Sequence, residues 1–396
     1  MILNKLLLQP KIQDFIRKHY KEDVAQFILK GSPFQEVSAQ DIATQLEGKK
    51  KAEKKLPTWF SSETILYPKK LNLAQTSSEI TAGYKSRLVA GKSLVDITGG
   101  FGIDSFFFSK KIPHVVHCEI NKEILHLAQH NFSVLNPKGK IEFFLGNGIE
   151  FLQKTPQSFD WIYIDPSRRT KSGKKVFRLE DSEPNILENL PLLYKKAAHI
   201  LIKTSPLLDI EYGISAFQNV LEIHVVAVSN EVKELLWILS PKLFENEIKL
   251  KTVNFLAEKE VVFTGNFSEE QQAQSTFSEP LNYLYEPNSA ILKSGMFNLL
   301  SANLNIPKLH PNSHLYTSEN RIDFPGRIFR IQQTLAFKPK MLKKELKMEK
   351  ANISTRNFPK SVEQLKSQLN LKDGGEQYLF FTTDLNEKKI VLNCEK

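Results

Sequence analysis

Along the first 76 residues apolar side chains recur at helical spacing, Ile12, Phe15, Ile16 and Tyr20, then Val24, Phe27 and Ile28, which predicts a helical N-terminal region over 1–76. Past Ser93 the pattern changes. Short apolar runs at 94–97, 115–119, 141–144, 161–165 and 200–203 alternate with helical stretches up to about Leu239, the pattern of a parallel sheet with helices on both faces. Runs at 221–228, 250–256 and 260–263 add strands, the last two expected as an antiparallel pair closing that sheet. A Gln-, Ser- and Glu-rich stretch at 271–278 reads as a boundary. Beyond it, Glu286-Pro287-Asn288 and His310-Pro311-Asn312 bracket a helical run at 291–300. The final unit predicts a short strand near Phe329, a helix from about Pro339, a strand at 351–358, a helix at 361–369, a turn at Asp373-Gly374-Gly375 and a strand at 377–382.

At 396 residues the chain is long enough for several modules, each with a core. Its 41% hydrophobic and 25% charged residues are those of a globular protein, and no run suggests a membrane span. The opening ten residues are too interrupted by polar side chains for a signal peptide. Two cysteines, Cys118 and Cys394, exclude a disulfide framework and a Cys-rich zinc site, and fit a reducing cytoplasm. His114, His117, His126 and His130 show no metal-ligand spacing with carboxylates, so no metal site is expected, and His117 reads as core. The net charge of +10 points to a polyanionic partner. Between Lys338 and Lys372 ten Lys or Arg face three Glu, so most of the excess lies in one C-terminal segment.

Two motifs carry the chemistry. In the first, the strand Leu94-Val95-Asp96 runs into Ile97-Thr98-Gly99-Gly100-Phe101-Gly102-Ile103-Asp104, a glycine-rich turn whose backbone a bound cofactor can approach closely. Glu119, twenty residues after Gly99, ends the next strand, where a carboxylate can accept from a ribose. A dinucleotide loop would read Gly-x-Gly-x-x-Gly. Here an acidic Asp96 opens the loop, which suits the ammonium and sulfonium of S-adenosylmethionine and would repel a pyrophosphate. The same spelling also serves as a plain strand-to-helix turn. Asn147, in Gly146-Asn147-Gly148, stands where its carbonyl can accept from an adenine amine, or it merely turns the chain. In the second motif, the apolar strand 161–164 ends in Asp165-Pro166. It places a carboxylate at the sheet's carboxyl edge, able to accept the proton of a target nitrogen or simply to cap a turn. Arg168, Arg169, Lys171, Lys174, Lys175 and Arg178 follow, a basic loop that could hold phosphates or be a solvated charge run.

Taken with Ser78-Glu79-Ile80-Thr81-Ala82-Gly83-Tyr84-Lys85 upstream, and with Ala351-Asn352-Ile353-Ser354-Thr355-Arg356-Asn357-Phe358-Pro359 and Asp373-Gly374-Gly375 in the tail, these motifs resemble one family over most of the chain. It is the bacterial class I methyltransferases with a THUMP-like C-terminal domain after a small ferredoxin-like segment. The ferredoxin-like piece is similar to Tyr283-Leu284-Tyr285-Glu286-Pro287-Asn288 and Leu309-His310-Pro311-Asn312. The resemblance implies RNA as substrate, because THUMP domains bind structured RNA. Asp165-Pro166-Ser167-Arg168 differs from the Asp-Pro-Pro-Arg of guanine N1 enzymes and the Asn-Pro-Pro-Tyr of adenine N6 enzymes, so the target atom stays open.

The expectation is an α/β protein with a Rossmann-like class I methyltransferase sheet, an N-terminal helical region and small α+β C-terminal domains. Its segments are 1–76 (helical), 77–270 (S-adenosylmethionine binding), 280–325 (ferredoxin-like) and 326–396 (THUMP-like). Asp165 and Pro166 are the expected catalytic pair, and Asp96, Thr98, Gly99, Gly100, Gly102, Asp104, Glu119 and Asn147 the cofactor residues. Arg168, Arg169, Lys343, Lys344, Lys347 and Arg356 are the expected RNA contacts. The rivals are a degenerate fold that grips RNA without turnover, a methyltransferase for a protein or small molecule, and a nicotinamide oxidoreductase.

Overall fold

The computed structural model describes residues 4–136, 141–167, 179–242, 247–346 and 348–396. They fall into two compact units, residues 1–220 with 236–244, and 221–235 with 245–396.

The first unit is organised by five parallel strands, β1 (Ser93–Asp96), β2 (His114–Glu119), β3 (Ile141–Leu145), β4 (Phe159–Ile164) and β5 (Ala197–Thr204), in the order β3-β2-β1-β4-β5. Leu94, Val95, Val115, Val116, Ile162, Ile164, Ile200 and Ile202 are fully buried on these strands, as expected where helices cover both faces. The strand order reverses between β1 and β4, so their carboxyl ends part at the crevice where sheets of this type bind ligands.

The N-terminal helices pack into the same unit. Ile12, Ile42, Leu46 and Trp59 share one apolar cluster with Phe101, Ile103, Phe106 and Phe132 from the helices Ile103–Ser109 and Lys122–Leu135 and the loop before the first of them. The Trp59 and Phe106 rings meet edge-on at 4.8 Å. Asn131 seals the joint, accepting from Leu66 N at 3.0 Å and donating to Leu66 O at 2.9 Å. Two lysines of this region turn inward: Lys49 donates to Phe60 O and Lys55 to Leu73 O. Ile28, expected on the apolar stripe, is exposed.

The chain then runs through β6 (Val220–Val228) and β7 (Glu231–Leu239). In the second unit β6 lies parallel to β8 (Lys249–Phe255), and β8 pairs antiparallel with β9 (Glu260–Asn266). Six further strands, β10 (Tyr283–Pro287), β11 (Tyr316–Ser318), β12 (Gly326–Ala336), β13 (Asn352–Thr355), β14 (Gln377–Thr383) and β15 (Lys389–Glu395), form one sheet in the order β11-β10-β12-β15-β14-β13. Leu379, Phe381 and Val391 face the cluster under the helices Pro339–Leu346 and Val362–Leu369, while Phe329, Phe380 and Leu392 fill the opposite face, the period-2 alternation of a sheet covered on both sides. Ser361 and Gln364 close a capping box at the start of the second helix. The helical run expected at 291–300 is two helices, Ser289–Ser294 and Phe297–Leu304, because Gly295 takes φ +80° and ends the first.

Candidate active site

The glycine-rich loop leaves β1 at Asp96 and enters the helix Ile103–Ser109 through Gly102, whose φ of +86° is left-handed. Gly99 is required by a neighbour: a Cβ there would lie 2.2 Å from Cε1 of the buried His117 ring. Gly100, at φ +56°, would meet nothing nearer than Thr98 O at 3.8 Å, so this stretch of backbone is open to a ligand. Gly99→Ala should therefore displace the loop, at a cost of about 1–3 kcal/mol from overpacking. Thermal melts and calorimetric titration should show a lower Tm and donor affinity reduced at least tenfold; unchanged affinity would detach the loop from binding.

Asp96 is buried and accepts from Thr98 N (3.0 Å) and from Ser105 Oγ (2.6 Å); burial raises its pKa to about 7. Ser105 gives its proton to Asp96, so the 2.9 Å contact to His117 Nδ1 has the ring as donor. His117 Nε2 is buried without a partner, and burial lowers the ring's pKa to about 4, keeping it neutral beneath the loop. Glu119 holds the same loop from the next strand, Oε2 accepting from Gly100 N at 2.9 Å and Oε1 from Asn121 N at 2.6 Å. Burial raises its pKa too. Asn147 lines the cavity, yet its carbonyl is engaged at the start of the helix Gly148–Lys154, accepting from Ile149 N and Glu150 N. Its amide hydrogens, rather than the expected acceptor, are what it can offer a ligand.

Asp104 sits at the centre of a buried polar network. Ser77 Oγ (2.8 Å) and Tyr163 Oη (2.9 Å) donate to it, and the fully buried Lys85 ammonium pairs with it at 3.2 Å. Burial alone would raise its pKa, but Lys85 and Lys203, with the two hydroxyls, bring it below the usual carboxylate value. Lys85 also donates to Ser77 Oγ at 3.0 Å. The upstream Ser78–Lys85 motif thus supplies the counter-ion of a carboxylate in the first turn of the helix Ile103–Ser109.

Asp165 follows β4 at the carboxyl edge. Its N–H donates to Thr98 Oγ1 at 2.7 Å, tying the turn to the loop, and its Oδ2 pairs with Lys203 near the end of β5. Ser167 and Glu183 exchange backbone hydrogen bonds of 2.8 and 3.2 Å, which fixes the far side of the turn. Thr98, Gly100, Glu119, Asn147, Asp165, Pro166 and Lys203 all line one cavity of about 770 Å³, a size suited to a small-molecule ligand. Asn72, Gln75 and Thr76 from the N-terminal helical region, with Ser77 just after it, complete its wall. Sequence reasoning missed these four and Lys203; the one signal was a lysine ending an otherwise apolar strand.

Lys343 and Lys344 are exposed on the helix Pro339–Leu346, whereas Arg168, Arg169 and Lys347 lie outside the described residues. Arg356 has a partner within the fold. Its guanidinium pairs at 2.7 Å with the buried carboxylate of Glu286, which Arg327 also engages. A carboxylate so buried needs charged partners, and Arg356 is one of them. His310 bridges the neighbouring motifs, pairing with Glu387 through Nε2 and accepting from Asn312 N and the Asn357 amide at Nδ1.

The parallel sheet, the glycine-rich loop followed by Glu119 on the adjacent strand, and the Asp165-Pro166 turn in one cavity define the chain as a Rossmann-like methyltransferase. Comparison with known proteins carries this further. The crystal structure of a candidate methyltransferase from Porphyromonas gingivalis W83 superposes with a TM-score of 0.88 at 33% identity, covering 99% of this chain and 98% of that one. Two uncharacterized S-adenosylmethionine-dependent methyltransferases of Mycobacterium tuberculosis, from strains H37Rv and CDC 1551, are each 24% identical over 278 residues, 69% of this chain and 72% of theirs. Residues 283–325 match a ferredoxin-like domain family and residues 326–396 a THUMP domain-like family. The chain belongs to the family of the Porphyromonas protein, S-adenosylmethionine-dependent methyltransferases with ferredoxin-like and THUMP-like C-terminal domains.

Proposed function

We propose that this enzyme methylates a base nitrogen in RNA. The observation that carries the reading is Asp165, held against the cofactor loop through its own N–H and Thr98, with its carboxylate in the same cavity as Gly100 and Glu119. A carboxylate placed there accepts the proton that a base nitrogen must shed as it is alkylated. Pro166 stiffens the turn that aims it.

The residues present fit S-adenosylmethionine. The loop is open at Gly100, and the walls carry Asp96, Asp104 and Glu119, which favour a cationic ligand over a pyrophosphate. Asp96, Thr98, Gly99, Gly100, Gly102, Asp104, Glu119 and Asn147 would hold it, with Glu119 at the ribose and the Asn147 amide donating to a ring nitrogen of the adenine. The bound donor supplies an electrophilic methyl group whose neutral thioether leaves without needing a proton. In this reading residues 77–270 carry the chemistry and 280–325 with 326–396 carry the RNA contacts. Exposed lysines such as Lys343 and Lys344 grip phosphates, and the target base is presented out of its stack.

Calorimetric titration with S-adenosylmethionine and, separately, with NAD should show binding of the first alone. Incubation of the protein with RNA and a radiolabelled methyl donor should place label in ribonuclease-sensitive material; label only in protein or small molecules would refute the RNA reading. The combined change Lys343→Gln and Lys344→Gln should weaken RNA binding and flatten the slope of log K against log salt by about one unit for each phosphate no longer neutralised. An unchanged slope would remove this helix from the interface.

A further inference from the structure

Lys203 stands one residue before the end of β5 and is largely enclosed, its side chain only 14% exposed. In the parallel pairing of β4 with β5, Ile164 lies beside Ile202, so Asp165 and Lys203 leave the sheet side by side, and their side chains form an ion pair in the cavity. The backbone N–H of Asp165 is fixed to Thr98, and Oδ1 has no partner among the described residues. The site thus offers a substrate a carboxylate oxygen with a cationic charge immediately next to it. Taking a lysine this far out of water is costly unless its charge is used.

Two kinds of base nitrogen could meet that pair. An exocyclic amine needs only a proton acceptor; a cation beside it would sit against the adjacent ring nitrogen, withdraw electron density and make the amine a poorer nucleophile. A ring N–H next to a carbonyl is different, because its lone pair is delocalised and nucleophilicity appears only as the proton leaves and negative charge builds on the oxygen. A fixed cation at that oxygen lowers the energy of the transition state. Resting on the proposed RNA base methylation, we propose that Asp165 and Lys203 select a lactam, a base presenting N–H beside C=O, as at guanine N1 or uracil N3. In the step, the ring nitrogen forms its bond to the methyl carbon while the carbon–sulfur bond breaks, its electron pair staying on sulfur. The N–H proton passes to Asp165 Oδ1, and Lys203 stabilises the charge that builds at the carbonyl oxygen.

The test uses the full-length enzyme, total RNA from cells in which its gene has been deleted, and S-adenosylmethionine labelled in the methyl group, followed by digestion and mass analysis of the nucleosides. Label in 1-methylguanosine or 3-methyluridine is expected, and which of the two appears names the base. Label in N6-methyladenosine, N4-methylcytidine or a ribose methyl would overturn the lactam proposal while leaving RNA methylation standing. No label in RNA would overturn both. Lys203→Met should lower kcat about 100-fold, the loss typical of removing one such stabilising group. It should move the rising limb of the pH–rate profile to higher pH, with donor Kd unchanged to within about threefold. Lys203→Arg should restore part of the rate and keep the profile, and Lys203→Gln, which also removes the charge, should show the same loss and decides the matter if the methionine variant does not fold. An unchanged kcat and profile in a variant that lacks the charge would reduce Lys203 to neutralising its acidic neighbours.

Discussion

Replacing Asp165 by alanine should lower kcat by roughly 10²–10⁴-fold, the range for loss of a positioned proton acceptor, while the affinity for S-adenosylmethionine stays within a few-fold. The separation of the two effects has a structural basis. Asp165 is tied to the glycine-rich loop through its backbone N–H and Thr98 Oγ1, a bond that survives removal of the side chain. The carboxylate itself pairs with Lys203, on the far side of β4 from the loop. Cofactor-side contacts among Asp96, Thr98, Ser105 and Glu119 involve no atom of the Asp165 side chain. Asp165→Asn is the informative companion, since the amide keeps the size but cannot take a proton. Single-turnover kinetics with calorimetry on both variants would check this. Turnover retained in the alanine variant would mean that the nitrogen loses its proton elsewhere, and a parallel loss of donor affinity would mean that the carboxylate belongs to the cofactor site.

Much of this site is legible in the sequence because its parts stand where strands end. Asp96, Glu119 and Asp165 each follow a run of buried apolar residues, and the glycines and the proline next to them mark the change of direction. Lys203 and Ser77 were not legible. Lys203 meets Asp165 from 38 positions away and Ser77 meets Asp104 from 27, so only the pairing of β4 with β5 and the packing of the N-terminal helices bring them in. Asn147 lines the cavity, and the start of the helix Gly148–Lys154 claims the carbonyl that its place in the sequence leaves for an adenine. The Arg356 motif looked like part of a basic surface because the sequence does not show that Glu286, 70 residues earlier, is buried beneath it. In the fold, β7 is not marked in the sequence because Ser229 and Asn230, rather than a glycine-containing pair, adopt the positive φ values that turn the chain out of β6.

The largest stability effect is expected at Lys85. Its side chain is fully buried and pairs with an Asp104 carboxylate that is itself 11% exposed. Lys85→Met removes the cation and leaves that carboxylate without its counter-ion, a change that costs about 3–5 kcal/mol when a buried pair is broken from one side. For a unit of this size the loss corresponds to a Tm lower by roughly 10 °C. The pH dependence follows from Asp104. Its folded-state pKa lies below the usual value, so it contributes stability above its unfolded pKa, lost as pH falls through the folded one. Without Lys85 the largest of the lowering influences is gone while burial still opposes the charge, so that pKa rises. The destabilisation should therefore be greatest at neutral and alkaline pH, and shrink toward acid as Asp104 becomes protonated. Adding Asp104→Asn removes the stranded charge while an amide oxygen can still accept from Ser77 and Tyr163, so the double variant should recover most of the loss. Urea unfolding of the wild type and of the single and double variants between pH 5 and 8 measures all of this. A pH-independent loss, or a double variant no more stable than Lys85→Met, would show that Lys85 acts by filling space and that the ion pair contributes little; the matching recovery would identify the upstream motif as the counter-charge that lets the helix after the glycine-rich loop keep a buried aspartate.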